Sequence, residues 1–537
     1  MNDPVDSSNG RQSSGGRPIA GVIVVAGVGL ALAAWKLFTP SPASRPDLDH
    51  RPSSARTPVT TLTVKTLCSQ CHVFPDPSIL PKSEWPSRIG QMAKFKGYGS
   101  KIRGIVNTQE VIKWYVARAP DALVRPALDD QVTDGPQRFT VHALTCSEKT
   151  DDPIVISNVQ LVDLLGQDRK GKKELIACDM SNGLILLSRA TPERIPDLTV
   201  IAQTGHPARC QVVDLDADGL NDLLVADLGS FGAFDHDLGK VTWLRQHPAG
   251  TFTPIHLAES LSRVAEARAA DFDQDGDLDL VIGEFGWRTT GRVLILEHNG
   301  RRGPPAPQSY TLKALDQRHG TIHAPPIDLD GDGRLDFVTL IAQEHEAVVA
   351  FLGQGKLGFT AKTLYQAPHP CWGSSGLQLV DLDGDGDTDV LLTNGDTMDD
   401  AVLKPDHGVR WLENTGNLAF TEHHLARLYG VHRAEAADID SDGDLDVIAC
   451  GFVGALQGVS RSDLLASLRV PSLLWIEQTA PGSFTPRTLE AHLCNHPTLS
   501  VGDIDGDGDV DIAVGNNTRS DSQSPVDVWI NHLGDPK

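Results

Sequence analysis

The chain has 537 residues, 40% of them hydrophobic, and a formal net charge of −24. That length exceeds one ordinary compact core, and the composition is globular rather than disordered. The carboxylate excess argues against a nucleic-acid partner, because phosphate binding needs clustered Lys and Arg. The charge is uneven: Thr60–Arg125 carries ten Lys and Arg against four Asp and Glu, so a basic segment precedes a strongly acidic remainder.

Residues 1–17 read as a short cytoplasmic N-terminus. Pro18–Trp35 contains no charge and is near the lower length limit for a membrane-spanning helix. Arg11 and Arg17 before it favour a cytoplasmic start. The expectation is a signal anchor or transmembrane helix over 18–38. A cleaved signal peptide with Ala31-Leu32-Ala33 at its end is the competing reading. Both place the bulk of the chain on the periplasmic or cell-surface side. Residues 39–59, rich in Pro, Ser and Arg, read as a linker.

Cys68-Ser69-Gln70-Cys71-His72 follows as C-x-x-C-H. Two thiols at this spacing can form thioethers with the two haem vinyl groups, and the adjacent His can reach the iron. No second Cys/His pair stands at zinc spacing, and no βαβ pattern surrounds the motif. Trp85, Ile89 and Met92 fall on one face of a helix expected over 84–94. Val111, Trp114 and Tyr115 make a second apolar stripe over 108–117. Residues 60–125 resemble small cytochrome c domains, specifically at the pentapeptide and loosely elsewhere. The resemblance implies haem c held by Cys68, Cys71 and His72. Met92 is either the sixth ligand or a core residue of its helix. A basic surface with Lys94, Lys96, Lys101 and Arg103 either docks transiently on the chain's own propeller or on an acidic redox partner, or is solvated. The other six cysteines are scattered and set no disulfide pairing.

Six segments from residue 214 onward repeat D-x-D-x-D-G-x-x-D. Their carboxylates are Asp214, Asp216, Asp218 and Asp222; Asp271, Asp273, Asp275 and Asp279; Asp328, Asp330, Asp332 and Asp336; Asp381, Asp383, Asp385 and Asp389; Asp438, Asp440, Asp442 and Asp446; and Asp503, Asp505, Asp507 and Asp511. Positions 1, 3, 5 and 9 offer hard oxygens, position 7 a backbone carbonyl, and Gly at 6 allows a sharp turn. The set suits about six Ca2+ ions better than transition metals. An EF-hand is excluded, because position 12 is never Glu and the flanks are short β-branched runs. The repeats resemble FG-GAP/VCBS repeats of integrin-α-type propellers. The resemblance implies four strands per repeat, the third like Val241–Leu244 and the outer often opening with Phe-Thr. A degenerate copy begins at Asp163, with Leu165, Gln167 and Gly171 at positions 3, 5 and 9, and is expected to bind no calcium.

The fold expected is therefore an all-β seven-bladed propeller over 138–537, preceded by a small α-helical cytochrome c-like domain and an N-terminal transmembrane helix. Residues 138–144 are expected to supply the outer strand missing from the last blade, removing an open edge. The face opposite the aspartate loops carries the long connections 229–240, 395–407 and 452–470. It also collects Arg209, Glu266, His323, Trp372, Arg433 and His496, either as a pocket or as ordinary channel lining. No G-x-S-x-G, H-E-x-x-H or P-loop is present. Electron transfer with a redox partner protein fits the haem motif. A surface-ligand-binding or adhesion module, or a carbohydrate-active propeller, fits the repeats.

Overall fold

The structure is a computed structural model. It describes residues 60–94, 107–126, 128, 133–134, 138–164, 173–190, 194–300, 305–456, 459–519 and 524–533. The apolar segment 18–38 and the linker 39–59 lie outside the described residues. Among those described, no helix is long and apolar enough to cross a membrane.

Three short helices come first. In α1 (Thr61–Cys68) the Thr60 hydroxyl caps the start by accepting from the Thr63 amide. In α2 (Trp85–Met92) Pro86 occupies the first turn, where its missing N–H costs nothing. In α3 (Thr108–Val116) Asn107 accepts from the Gln109 amide, and Glu110 stands in the first turn. Their apolar faces converge on Val64, Leu67, Leu80, Trp85, Ile89, Val111, Trp114 and Tyr115. Trp85 and Tyr115 lie with ring centroids 4.1 Å apart. The Tyr115 hydroxyl donates to the Pro75 carbonyl at 3.0 Å, and Trp85 Nε1 to the Pro77 carbonyl at 3.0 Å.

Seven sheets follow among the described residues, each an antiparallel blade, with Thr133–Asp134 added parallel to the outer strand of blade six. Blade one runs Ile156–Val162, Glu174–Asp179, Leu184–Ser188, Thr199–Gln203, inner strand to outer. Blades two to six begin at Pro207, Val264, Thr321, Ser374 and Val431. Blade seven takes Thr498–Gly502, Asp511–Gly515 and Val526–Asn531 from the C-terminal end and Phe139–Leu144 from before blade one. That fourth strand pairs in unbroken register, Phe139 opposite Asn531 and Leu144 opposite Val526. Within each blade the second strand is buried along its whole length, as in Asp279–Glu284, whereas outer strands such as Phe359–Gln366 are half open to solvent. The apolar side chains interlock between neighbouring blades: Phe272 of blade three packs with Phe337 of blade four, and Phe337 stacks on Phe351 at 4.7 Å.

The ninth-position aspartate ties each repeat together. It opens the second strand and is buried in every case, at most 1% exposed. In blade seven, Asp511 Oδ2 accepts from the Ile504 amide and Oδ1 from the Asn531 amide, both at 2.9 Å. Asp222, Asp336, Asp389 and Asp446 make the same two bonds, one to the loop and one to the third strand. Replacing Asp511 with Ala leaves two buried amides without acceptors. The expected cost is about 2–4 kcal/mol of stability. Denaturant unfolding in saturating calcium, which keeps the cation contribution constant, measures it.

Candidate functional sites

The six aspartate loops lie on one face, between first and second strands. At position 6, Gly219, Gly276, Gly333, Gly386, Gly443 and Gly508 all take φ between 83° and 100°, a conformation that L side chains avoid. Position 1 folds the loop: Asp271 accepts from the Asp275 amide at 3.1 Å and the Gly276 amide at 3.1 Å. The other loops repeat this clasp on the Gly amide. In each of blades two to five, one carboxylate oxygen from positions 1, 3 and 5 lies within 4.8 Å of the others, as in Asp328, Asp330 and Asp332. Such a group can hold a hard divalent cation. Position 9 is not part of these three-carboxylate groups. In five repeats both its oxygens accept from backbone amides, and in blade three Asp279 Oδ1 accepts from the His298 amide, a role that spacing alone did not reveal. Burial pushes the carboxyls of Asp279, Asp446 and Asp511 up to about 7.

Blade one supports that division of labour. Counting along the chain puts Gly171 at its ninth position, outside the described residues. The residue that opens its second strand is instead Glu174, whose Oε2 accepts from the Leu164 amide at 3.0 Å. The tie therefore persists in the degenerate repeat, displaced by a longer loop.

On the inner strands a charged cluster forms. Glu266 is 1% exposed and lies 3.0 Å from Arg268, 3.5 Å from Arg209 and 3.6 Å from His323. Burial raises the Glu266 carboxyl, but Arg268, Arg209 and His323 together hold it down to about 2. Burial, with Arg209 beside it, pushes the His323 imidazole down to about 3. Arg433 pairs with Glu435 at 2.8 Å. Trp372 and His496 are not part of this cluster. Trp372 is stacked under the Arg410 guanidinium at 4.4 Å, and His496 is fixed between Asn516 at 2.6 Å and Glu490 at 2.5 Å. Arg268 and Glu435 complete the charge pattern; their signal was the period-two spacing Glu266-x-Arg268 and Arg433-x-Glu435.

The C-x-x-C-H motif closes α1. Cys68 is buried in the helical core, Cys71 is exposed, and neither is in a disulfide. His72 Nδ1 is 2.8 Å from the Val73 carbonyl. A carbonyl only accepts, so Nδ1 is the donor and Nε2 is the ring nitrogen left for another partner. This donor set fits a covalently attached haem. Met92 ends α2, half-buried, on the face of Trp85 and Ile89.

The helices dock on the propeller face opposite the aspartate loops. Arg88 Nη1 donates to the Asp399 carbonyl at 2.8 Å and the Tyr429 hydroxyl to the Pro126 carbonyl at 3.0 Å. Cys371 packs against the helical core, and Leu128 joins Leu403, Tyr429 and Val453. Glu84 is 5% exposed, and burial raises its carboxyl while Arg88 opposes the shift. Lys404 and Asp400, paired at 2.7 Å and nearly buried, lie in the same connection as Asp399. Lys94 is exposed; Lys96, Lys101 and Arg103 lie outside the described residues.

A ring of seven blades with D-x-D-x-D-G loops on one face defines a seven-bladed β-propeller. Residues 214–282, 328–392 and 393–449 match the FG-GAP-like repeat, and residues 497–529 match the FG-GAP repeat. The chain thus carries FG-GAP repeats in a seven-bladed β-propeller. No curated protein sequence matches it. Among solved structures it is similar to BBS1N, crystallised in complex with ARL6DN and soaked with lead. The identity is 11% and the TM-score 0.41, covering 75% of this chain and 99% of that one. It is also similar to a chain of the Photorhabdus luminescens Tc holotoxin pore, at 17% identity and TM-score 0.29, covering 61% of this chain and 14% of that one.

The inner-strand cluster generates a test. Glu266→Gln leaves Arg209 and Arg268 without their buried counter-charge, so stability should fall by about 3 kcal/mol. His323 has a folded pKa below its unfolded value of 6.5. The unfolded chain therefore takes up the proton first, and stability is lost as pH falls below about 6.5. Glu266, depressed from 4.5 to about 2, adds a second loss below about 4.5. In His323→Gln the decline between pH 6.5 and 4.5 should be shallower, as read by melting temperature against pH.

Proposed function

We propose that this protein is an exported c-type haem protein in which a calcium-stabilised propeller is the platform that binds a redox partner. The observation that carries the reading is the C-x-x-C-H at the end of α1 with His72 Nδ1 tied to the Val73 carbonyl. Cys68 and Cys71 would hold the haem through thioethers, and His72 would offer Nε2 to the iron. Met92 is the candidate for the opposite side. When bound, the haem supplies one-electron chemistry. The protein's part is to fix that module on the loop face through Arg88, Tyr429 and the apolar contacts around Leu128. A partner seated on that face is then held beside the module rather than met at random, and fixed distance is what electron transfer between proteins requires.

A second reading is a ligand-binding or adhesion-type module, the role that an FG-GAP propeller suggests. It is favoured by exposed apolar side chains on the long connections of that face: Phe234, Leu238, Met398 and Val459, each near half exposed. A redox titration of the purified chain with candidate cytochromes or quinones separates the two readings.

Protein matured with the haem-attachment machinery should keep its haem through acid–acetone extraction. Release of all the haem would overturn the assignment. Cys68→Ser should leave a single thioether, visible as a shifted pyridine haemochrome.

Cation binding is tested separately. Binding confined to the folded state adds about 2.7 kcal/mol per site at a hundredfold excess over Kd. EDTA should lower the melting temperature by many degrees. An unchanged melt in chelator would mean that the loops are plain acidic turns.

A further inference from the structure

Two connections on the loop face meet between blades three and four. The first, Gln317–Gly320, leads into blade four and carries His319. The second, Ala342–Glu346, joins the second and third strands of blade four and carries Glu344 and His345. They are tied by their backbones, since the Ala342 amide donates to the Gly320 carbonyl at 2.9 Å. Each connection is held from behind. A Cβ on Gly291 would lie 2.6 Å from that of His319, so the histidine backbone is seated against a glycine. The Glu346 carboxylate accepts from the Gly373 and Ser374 amides at 2.8 and 3.0 Å. Gln366 Nε2 donates to the His345 carbonyl at 2.8 Å.

These supports bring three donors together. His319 Nε2 lies 2.9 Å from Glu344 Oε2. The His319 and His345 rings stand edge to face, with centroids 5.2 Å apart. One ligand-capable atom of each residue lies within 4.8 Å of the other two, and all three side chains are half-buried. A His–Glu hydrogen bond alone is an ordinary loop tie. The third donor changes the chemistry: among the described residues, no hydrogen bond reaches the His345 ring. The nearby Arg318 cation is already paired with Asp316 at 2.7 Å.

We propose that His319, Glu344 and His345 form a site for one divalent transition-metal ion of the zinc type, on the face opposite the aspartate loops. Two imidazole nitrogens and one carboxylate oxygen suit zinc and its first-row neighbours, whereas the all-oxygen loops suit calcium. Tetrahedral ligands about 2.1 Å from a metal stand about 3.4 Å apart, within reach of small side-chain rotations here. Three protein donors leave the fourth position to water or to a donor atom of whatever the face binds. The site faces the same side as the docked helices, so it stands where a bound partner would meet it.

The test uses the full chain in saturating calcium, titrated with zinc alone and with cobalt(II) alone. One equivalent of zinc should bind and resist displacement by calcium. Cobalt should give ligand-field bands without the intense thiolate charge-transfer bands that a site at Cys68 and Cys71 would produce. His345→Ala should lose this equivalent, and His72→Ala should keep it. Glu344→Gln, which preserves shape, should weaken zinc at least tenfold with an unchanged melt in calcium and no zinc. Absence of zinc binding, thiolate bands, retention in His345→Ala or loss in His72→Ala would each overturn the proposal.

Discussion

The propeller depends on one buried carboxylate per blade. In five blades the aspartate that opens the second strand reaches back to the loop that precedes it and sideways to the end of the third strand, and in blade three Asp279 makes the sideways bond. Three backbone segments are thereby joined at one point where water is excluded. Hydrogen bonds to an ionised group in such a place are among the stronger ones available, about 1.5–3 kcal/mol. The same carboxylate fixes where the loop starts and so where the first, third and fifth aspartates can gather. The proposed cation sites rest on that tie. Blade one keeps it through Glu174 even though its loop has lost the repeat.

The architecture was legible because repetition multiplies weak signals. One D-x-D-x-D-G is an acidic turn; six at similar spacing, each followed by a β-branched run, define blades. The position-6 glycines were readable because only one backbone conformation closes the turn, and every one of them adopts it. The backbone tie made by the ninth aspartate was not legible, because a motif records which residues recur but not which amides an oxygen faces. The same limit hid the role of Glu174 in blade one, whose carboxylate takes the Leu164 amide.

Contacts between distant connections were the least legible part. Arg209, Glu266 and His323 meet because neighbouring inner strands stand side by side in the ring. Trp372 and His496 stand before their inner strands, which begin at Ser374 and Thr498, and turn toward Arg410 and Glu490. The offset from the first aspartate of each repeat separates the two outcomes, since Arg209, Glu266, His323 and Arg433 share one offset that Trp372 and His496 do not. The seat of the helices was equally hidden, since it uses backbone carbonyls of Asp399 and Pro126, which any residue could supply. His319 and Glu344 are 25 positions apart and belong to no motif.

Closure of the ring has a consequence for how the chain is made. Phe139–Leu144 stands at the front of the propeller and its mate, Val526–Asn531, at the very end; Thr140 and His532, which bond across this seam, are 392 positions apart. Contacts of such span form late, because the long loop between them must first be brought to order. During synthesis the early strand emerges with no partner and waits while blades one to six assemble. Through that interval the nascent protein exposes a lone strand and an unfinished edge, both of which invite pairing with other chains. A chain cut before Val526 would keep its first six blades and lose the seam, and so would be prone to aggregate rather than merely shortened.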